Sequence, residues 1–395
     1  MAKAAESASS ARIARLRAAC AEAGIDAFYV RGTSNIAWLT AFDGVFDDEA
    51  AHALVVTPGR AVLHTDSRYA LACEAAARNT VIEVDAARCA HADMAAEIVR
   101  DAADDLSTEP RRFVLGIEDD MTLAEFRRLE CAFAAGEGAP KDGAEGTLAV
   151  PLRVEMRETS GFVFGLRAVK DAAEVERMKA AQAITDAAFA HIVAFMRPGM
   201  TERAVQIELE DFMRRHGADD LAFSSIVATG PNGASPHAIP GDTVLEAGQC
   251  VVLDFGAKAR GYCSDMTRTV FLGAPEGKML RAWEALRAAN EAVEAALRPG
   301  VTGSEMHQLA EDILEEGGFG GRMGHGLGHG VGMDIHEEPV LSPRNGRPLA
   351  PGNVVTVEPG IYLPGEFGMR LEDFGVVTEE GFEVFTKSTH EAVII

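Results

Sequence analysis

The sequence is short of basic residues: Lys and Arg total 37 against 61 Asp and Glu, for a formal net charge of −24. Such a surface repels phosphate backbones and anionic lipid, which argues against nucleic-acid and membrane-surface partners. No apolar run approaches the roughly 20 residues that a membrane-spanning helix needs. The opening residues, MAKAAESASSARIARLR, lack the apolar core of a secretory signal, so the expected location is cytoplasmic. Cysteine is sparse: Cys20, Cys73, Cys89, Cys131, Cys250 and Cys263 form no CxxC pair, and reduced thiols are expected rather than a disulfide framework. The remaining composition is globular. With 47% hydrophobic and 25% charged residues over 395 positions, the chain can bury a substantial core and form two domains.

The first third alternates helical and strand patterns. Ile13, Leu16 and Cys20 recur at helical spacing before Gly24, and residues 27–30 form a short apolar strand. Residues 53–56 and 61–64 read as a hairpin around Pro58-Gly59. Asp66 is placed to cap a helix through about Arg78, residues 113–117 read as a strand, and Thr122 with Glu125 forms a capping box. The alternation predicts a small α/β domain over residues 1–160. A polar, glycine-rich stretch, 136–146, reads as a surface loop, with the crossing to residues 161–395 before about Gly165. The second domain opens on a long helix. Asp171 and Glu174 suit its start, Val175, Met178, Ile184, Phe189, Ile192 and Phe195 its buried face, and Pro198-Gly199 its end.

This second domain contains an internal echo. Arg197-Pro-Gly-Met-Thr201 returns 101 residues later as Arg298-Pro-Gly-Val-Thr302, each ahead of a helical segment. Ala247-Gly248 precedes QCVVLDFG and Pro351-Gly352 precedes NVVTVEPG, so that Asp254 and Glu358 stand in matching places 104 residues apart. Glycine follows each acid two positions on, as Gly256 and Gly360. A period this long is no solenoid unit. It fits a duplicated half whose two copies face each other and bring both acids to one centre.

Each copy offers a second acid. A hairpin turning at Ala259-Arg260-Gly261 would return Asp265 beside Asp254, and a loop containing Pro364-Gly365 would do the same for Glu372 and Glu358. Four carboxylates aimed at one point repel one another unless cations lie between them, and a pair of divalent ions is the natural solution. The stretch MGHGLGHGVGMDIHEEP adds His325, His329 and His336, and SPHAIPGD adds His237. His325 and His329 would share a helix face, but this many glycines argue against a helix. Taken singly, each acid could simply start a turn. Cys250 and Cys263 are expected to pack, as are Trp38 and Phe42. The remaining histidines have no constellation around them, and the clusters 47–49 and 379–380 read as solvated loops.

Asp254 with Asp265, the GHGxG run ending in HEEP, EPGIY and RLED together resemble the pita-bread-fold metallopeptidases. That group includes the Xaa-Pro dipeptidases (prolidases), Xaa-Pro aminopeptidases and methionine aminopeptidases, with the metal-free creatine hydrolases. RIARLRAACAEAGIDAF, TSNIAWLTAF and HTDSRYA are similar to the smaller N-terminal domain of the prolidase and creatinase branches. The resemblance covers nearly the whole chain. It implies a creatinase-like α/β N-terminal domain followed by an α+β pita-bread catalytic domain with an internal pseudo-two-fold repeat.

Carried over by position, the resemblance makes Asp254, Asp265, His329, Glu358 and Glu372 ligands of two divalent ions, with Asp265 and Glu372 bridging. Such hard donors suit Mn²⁺, with Co²⁺, Zn²⁺ or Fe²⁺ as alternatives. A water shared by two cations is deprotonated near neutral pH, and Glu358 would relay its proton to the departing amine. His237 and His336 match histidines that contact substrate and oxyanion, and His325 a substrate-side histidine of the Xaa-Pro branch. Arg370 is expected to partner a bridging carboxylate or a dipeptide's terminal carboxylate, and Tyr362 to hydrogen-bond behind the ligands. The implied function is a homodimeric exopeptidase acting on small peptides with proline second, foremost an Xaa-Pro dipeptidase. An Xaa-Pro aminopeptidase, a related amidohydrolase such as an ectoine hydrolase, and an inactive peptide-binding module remain as alternatives.

Overall fold

The computed structural model describes residues 2–47, 49–106, 112–134 and 153–395. The 136–146 stretch and Asp48 of the first acidic cluster lie outside the described residues. Two compact units divide the chain, Met1–Leu166 and Arg167–Ile395.

The first unit runs α1 (Ala2–Ala23), β1 (Ala27–Val30), α2 (Thr33–Thr40), β2 (Ala53–Val56), β3 (Ala61–His64), α3 (Ala70–Ala77), β4 (Glu83–Asp85), α4 (His91–Leu106), β5 (Arg112–Glu118), α5 (Leu123–Ala134) and β6 (Arg153–Thr159). Helix α6 (Phe162–Arg167) ends at the boundary. The strands form one six-stranded sheet in the order β4-β3-β2-β1-β5-β6, parallel at β3–β4, β1–β5 and β5–β6. Trp38 and Phe42 are buried, and the Arg12 guanidinium lies 5.0 Å from the Trp38 ring centroid. Thr122 and Glu125 make their capping contacts at the head of α5. Asp66 does not cap α3, which starts later, at Ala70, without a side-chain cap. Its carboxylate is taken instead by the backbone N–H and guanidinium of Arg68, so it organises the turn before the helix.

The second unit contains α7 (Ala172–Phe195), α8 (Glu202–Arg215), β7 (Asp220–Leu221), β8 (Ile226–Thr229), β9 (Cys250–Phe255), β10 (Ala257–Ala259), β11 (Tyr262–Cys263), β12 (Met266–Phe271), α9 (Gly277–Ala296) and α10 (Gly303–Glu316). It continues through β13 (Gly328–Gly330), β14 (Glu337–Leu341), β15 (Val354–Val357), β16 (Gly360–Leu363), β17 (Phe367–Arg370), β18 (Asp373–Val377), β19 (Phe382–Val384) and β20 (Val393–Ile394). Asp171 and Glu174 form a reciprocal capping box on α7. Met178, Phe189 and Ile192 are buried there, with Ala181, Thr185 and Ala188 completing the face; Val175, Ile184 and Phe195 are half-buried.

The echo is structural. Thr201 and Thr302 are the N-caps of α8 and α10, each accepting from the backbone N–H three residues on. Gly199 and Gly300 donate to the Leu245 and Leu349 carbonyls at 2.8 and 2.9 Å, and Gly248 and Gly352 adopt φ of 87° and 88°. In the first half α7 and α8 pack on β8, β9 and β12; in the second α9 packs on β15 to β17, with α10 against α9 and β14. Strand β9 pairs antiparallel with β12 around the small hairpin β10–β11, and β15 with β18 around β16–β17. The turn between β10 and β11 places Arg260 and Gly261 at φ of 52° and 79°, matching the predicted reversal. An antiparallel bridge, Thr267 to Glu372, joins the two halves. The acids cluster where those strands meet.

Candidate metal centre

Asp254 lies within β9, Asp265 just before β12, Glu358 just after β15 and Glu372 just before β18. Alternation along β9 sends successive side chains to opposite faces, so Asp254 points away from its buried neighbours Leu253 and Phe255. Gly256 permits the first pair to close: a Cβ there would overlap the Ser264 carbonyl on the returning strand. The ring of His329, in β13, brings Nε2 to 3.6 Å from Asp265 Oδ2 and 3.4 Å from Glu358 Oε1. Asp265, His329 and Glu372 offer ligand atoms that all lie within 4.8 Å of one another.

These residues face a cavity of about 580 Å³, also lined by His237, His325, His336 and Arg370. Nine of the ten predicted site residues therefore share one cavity; the tenth, Tyr362, stands behind it. Its hydroxyl accepts from Arg370 Nη1 at 2.7 Å and lies 3.0 Å from His325 Nε2. His325 Nδ1 lies 2.7 Å from the Gly326 carbonyl and must donate to it, so Nε2 is the acceptor and the Tyr362 hydroxyl donates. By the same logic His329 Nδ1 donates to the Gly330 carbonyl, 3.0 Å away, and leaves the Nε2 lone pair facing the acids. The rings of His329 and His336 meet edge-on, 4.4 Å between centroids.

Arg370 differs from expectation. Its Nη2 pairs with Asp254 at 2.5 Å, Nε donates to Thr267 Oγ1 at 2.9 Å, and Nη1 holds Tyr362. It thus orders Asp254 rather than Asp265 or Glu372; between it and Glu372 stands Thr267, which itself donates to Glu372 Oε2 at 2.6 Å.

Burial, then repulsion from Asp254 and Glu358, holds the Asp265 carboxyl well above the usual range. Burial, then Asp265 and Glu358, does the same to Glu372, and burial raises Glu358. Burial lowers His325, His329 and His336, which favours neutral rings. One guanidinium does not balance four acids, and Asp254 Oδ1 is buried without a hydrogen-bond partner. Oxygen-rich donors, one presented imidazole lone pair and surplus negative charge fit divalent cations.

A second grouping, Glu294, Asp373 and His390, escaped the sequence reading, which set His390 aside. His390 Nε2 lies 2.8 Å from Asp373 Oδ2, and Arg268 Nη2 donates to Asp373 Oδ1 at 2.6 Å. The signal was the acid beside Glu372: strand alternation sends Asp373 to the opposite side. His64 and His91, also set aside, form a pair with Nδ1 atoms 2.6 Å apart. Cys250 and Cys263 are buried in packing, as expected.

Four carboxylates and a neutral imidazole converging on one cavity define a divalent-metal hydrolytic site. The model of metallopeptidase family M24 matches residues 176–379, and that of the creatinase/prolidase N-terminal domain matches residues 12–148. An uncharacterised peptidase of Bacillus subtilis (strain 168) is 34% identical across 97% of this chain and 100% of its own length. Among solved structures, an Xaa-Pro dipeptidase from Bacillus anthracis is 36% identical with a TM-score of 0.85, covering 98% of this chain and 100% of that one. An X-Pro aminopeptidase from Thermotoga maritima MSB8 is 33% identical with a TM-score of 0.79, covering 94% and 98%. The chain belongs to metallopeptidase family M24, with the pita-bread catalytic fold and a creatinase-type N-terminal domain. It is a metal-dependent enzyme of that family.

Proposed function

We propose that this enzyme hydrolyses the peptide bond preceding proline in short peptides, foremost Xaa-Pro dipeptides. The observation that carries the reading is the convergence of Asp254, Asp265, His329, Glu358 and Glu372 on one cavity, joined to the Xaa-Pro activities named for its relatives. Asp265 and Glu372 would bridge two divalent ions, Asp254 completing one site and His329 with Glu358 the other. Bound there, the ions supply water activation and polarisation of the scissile carbonyl. Glu358 accepts the proton of the attacking water and delivers it to the proline nitrogen. His336 and His237 face the developing oxyanion and the substrate backbone, with His325 on the substrate side. Arg370 and Tyr362 hold Asp254 and His325 in place.

Mn²⁺ suits the oxygen-rich donor set. The six free cysteines fit a reducing, cytoplasmic setting, and a homodimer follows the pattern of the family resemblance.

A second reading, action on longer Xaa-Pro peptides, is favoured by Arg370. It is the sole Lys or Arg among the described residues lining the cavity, and its three nitrogens are engaged, leaving no disengaged guanidinium for a dipeptide's terminal carboxylate. Protein stripped of metal and reloaded with Mn²⁺ separates the readings on matched Xaa-Pro dipeptides and tripeptides. Turnover of the dipeptides supports the first, turnover confined to tripeptides the second, and no turnover of either removes both.

A further inference from the structure

Behind His336 lies a buried ionic cluster that the proposed chemistry does not use. The side chains of Arg167, Lys170 and Glu337 are each only 1% exposed. Arg167 Nη2 pairs with Glu337 Oε1 and, at 2.8 Å, with Asp334 Oδ2, while Lys170 Nζ lies 3.1 Å from Glu337 Oε2. Two cations face two carboxylates, so the cluster is neutral overall. Such buried clusters add little net stability over apolar packing, and this one's effect has to be sought in what it orients.

Glu337 pairs with Gly330 across β13 and β14, and so closes the loop that leaves His329 and returns through His336. Its Oε1 also accepts the Asp334 N–H at 3.1 Å, inside that loop. Gly332 packs flat against the carboxylate, where a Cβ would overlap it. The loop is held further by Gly332 N–H to the Asp334 carbonyl at 3.0 Å and Cys263 N–H to the Gly332 carbonyl at 2.8 Å. The cation-bearing segment is fixed independently: Lys170 N–H donates to the Gly352 carbonyl at 2.8 Å, and Asn353 Nδ2 to the Ala168 carbonyl at 2.9 Å. A fixed pair of cations thus grips a carboxylate one residue from a cavity histidine, with Glu337 turned inward as His336 faces the cavity.

We propose that Glu337, clamped by Arg167 and Lys170, is a positioning residue that sets the orientation of the His336 ring in the cavity. The inference rests on the reading of His336 as a substrate-contacting group. Glu337→Gln keeps the shape and, through its remaining oxygen, can still accept from Arg167 and the Asp334 N–H, but its amide NH2 cannot accept from Lys170. Glu337→Gln with Lys170→Met removes that donor clash and one charge of each sign, so the pair serves where the single variant does not fold. Metal content, kcat and KM are measured on Mn²⁺-loaded protein, and the His336 ring resonance in NMR on protein loaded with diamagnetic Zn²⁺ and again on metal-free protein.

The expected result is wild-type metal content and little change in KM, with kcat lower by roughly ten- to a hundred-fold. The His336 resonance should be displaced while that of His325 stays in place. A purely structural role would lower the melting temperature and leave kcat per metal-loaded site unchanged. A folded variant with kcat within about two-fold of wild type and a superimposable His336 resonance overturns the proposal. Should wild-type protein turn over no Xaa-Pro peptide, the functional reading fails, and the resonance alone still decides whether the clamp sets the ring.

Discussion

Tyr362 accepts from Arg370 and donates to His325, and so links the guanidinium holding Asp254 to a histidine that lines the cavity. Removing that hydroxyl leaves packing almost unchanged and breaks both contacts. Tyr362→Phe is expected to lower kcat/KM by about ten-fold or more, with the melting temperature down by only a few degrees for the unpaired buried groups, as read by steady-state kinetics and calorimetry. Asp265→Ala, removing a proposed bridging ligand, should abolish turnover and reduce bound metal, while circular dichroism shows the fold retained. Glu294 makes a separate case. Burial, then Asp373, pushes its carboxyl up to about 8. A raised folded-state value means that its stabilising contribution is complete below the unfolded value of about 4.3 and is lost as pH rises through about 8. Glu294→Gln should therefore gain thermal stability relative to wild type at pH 9 and differ little at pH 5.

At the scale of elements, the two halves rest on close strand contacts and helix caps. Gly256→Ala would thrust a methyl group into the Ser264 carbonyl. A cost of about 3 kcal/mol or more in denaturant unfolding is expected, with loss of metal because Asp265 follows Ser264. Thr302→Ala removes the N-cap of α10 and should cost only about 1 kcal/mol, leaving metal binding intact. These elements also show what the sequence could reveal. Helix starts, turns and the 104-residue echo are local chemistry: a capping Thr, an Arg-Gly reversal, an apolar run ending in an acid. Their repetition in order made the convergence of four acids legible before any fold was known. The partners of Arg370 were not, since only the fold places Thr267 between it and Glu372. Nor were the Arg167–Glu337 clamp and the His390–Asp373 pair, whose members lie 170 and 17 residues apart. Contacts of that kind leave no periodicity to read, and only the folded chain brings them together.

Over the whole molecule, negative charge exceeds positive by 24, and at the site four acids face a single guanidinium. Asp265 and Glu372 hold protons there more tightly than ordinary carboxyls do, through burial first and repulsion from neighbouring acids second, and Glu358 does so through burial. Metal binding should displace those protons. Calorimetric titration of metal-free protein with Mn²⁺ near neutral pH, run in two buffers of different ionisation enthalpy, should show net proton release and affinity rising with pH; proton uptake would count against the account. The central claim is that five side chains from two mirrored halves hold a pair of divalent ions. Diffraction from crystals of the Mn²⁺-loaded enzyme, collected near the manganese absorption edge, tests it most directly. The account predicts two anomalous peaks in the cavity, with Asp265 and Glu372 touching both, Asp254 one, and His329 with Glu358 the other. Peaks elsewhere, or none within bonding reach of these five residues, would contradict it.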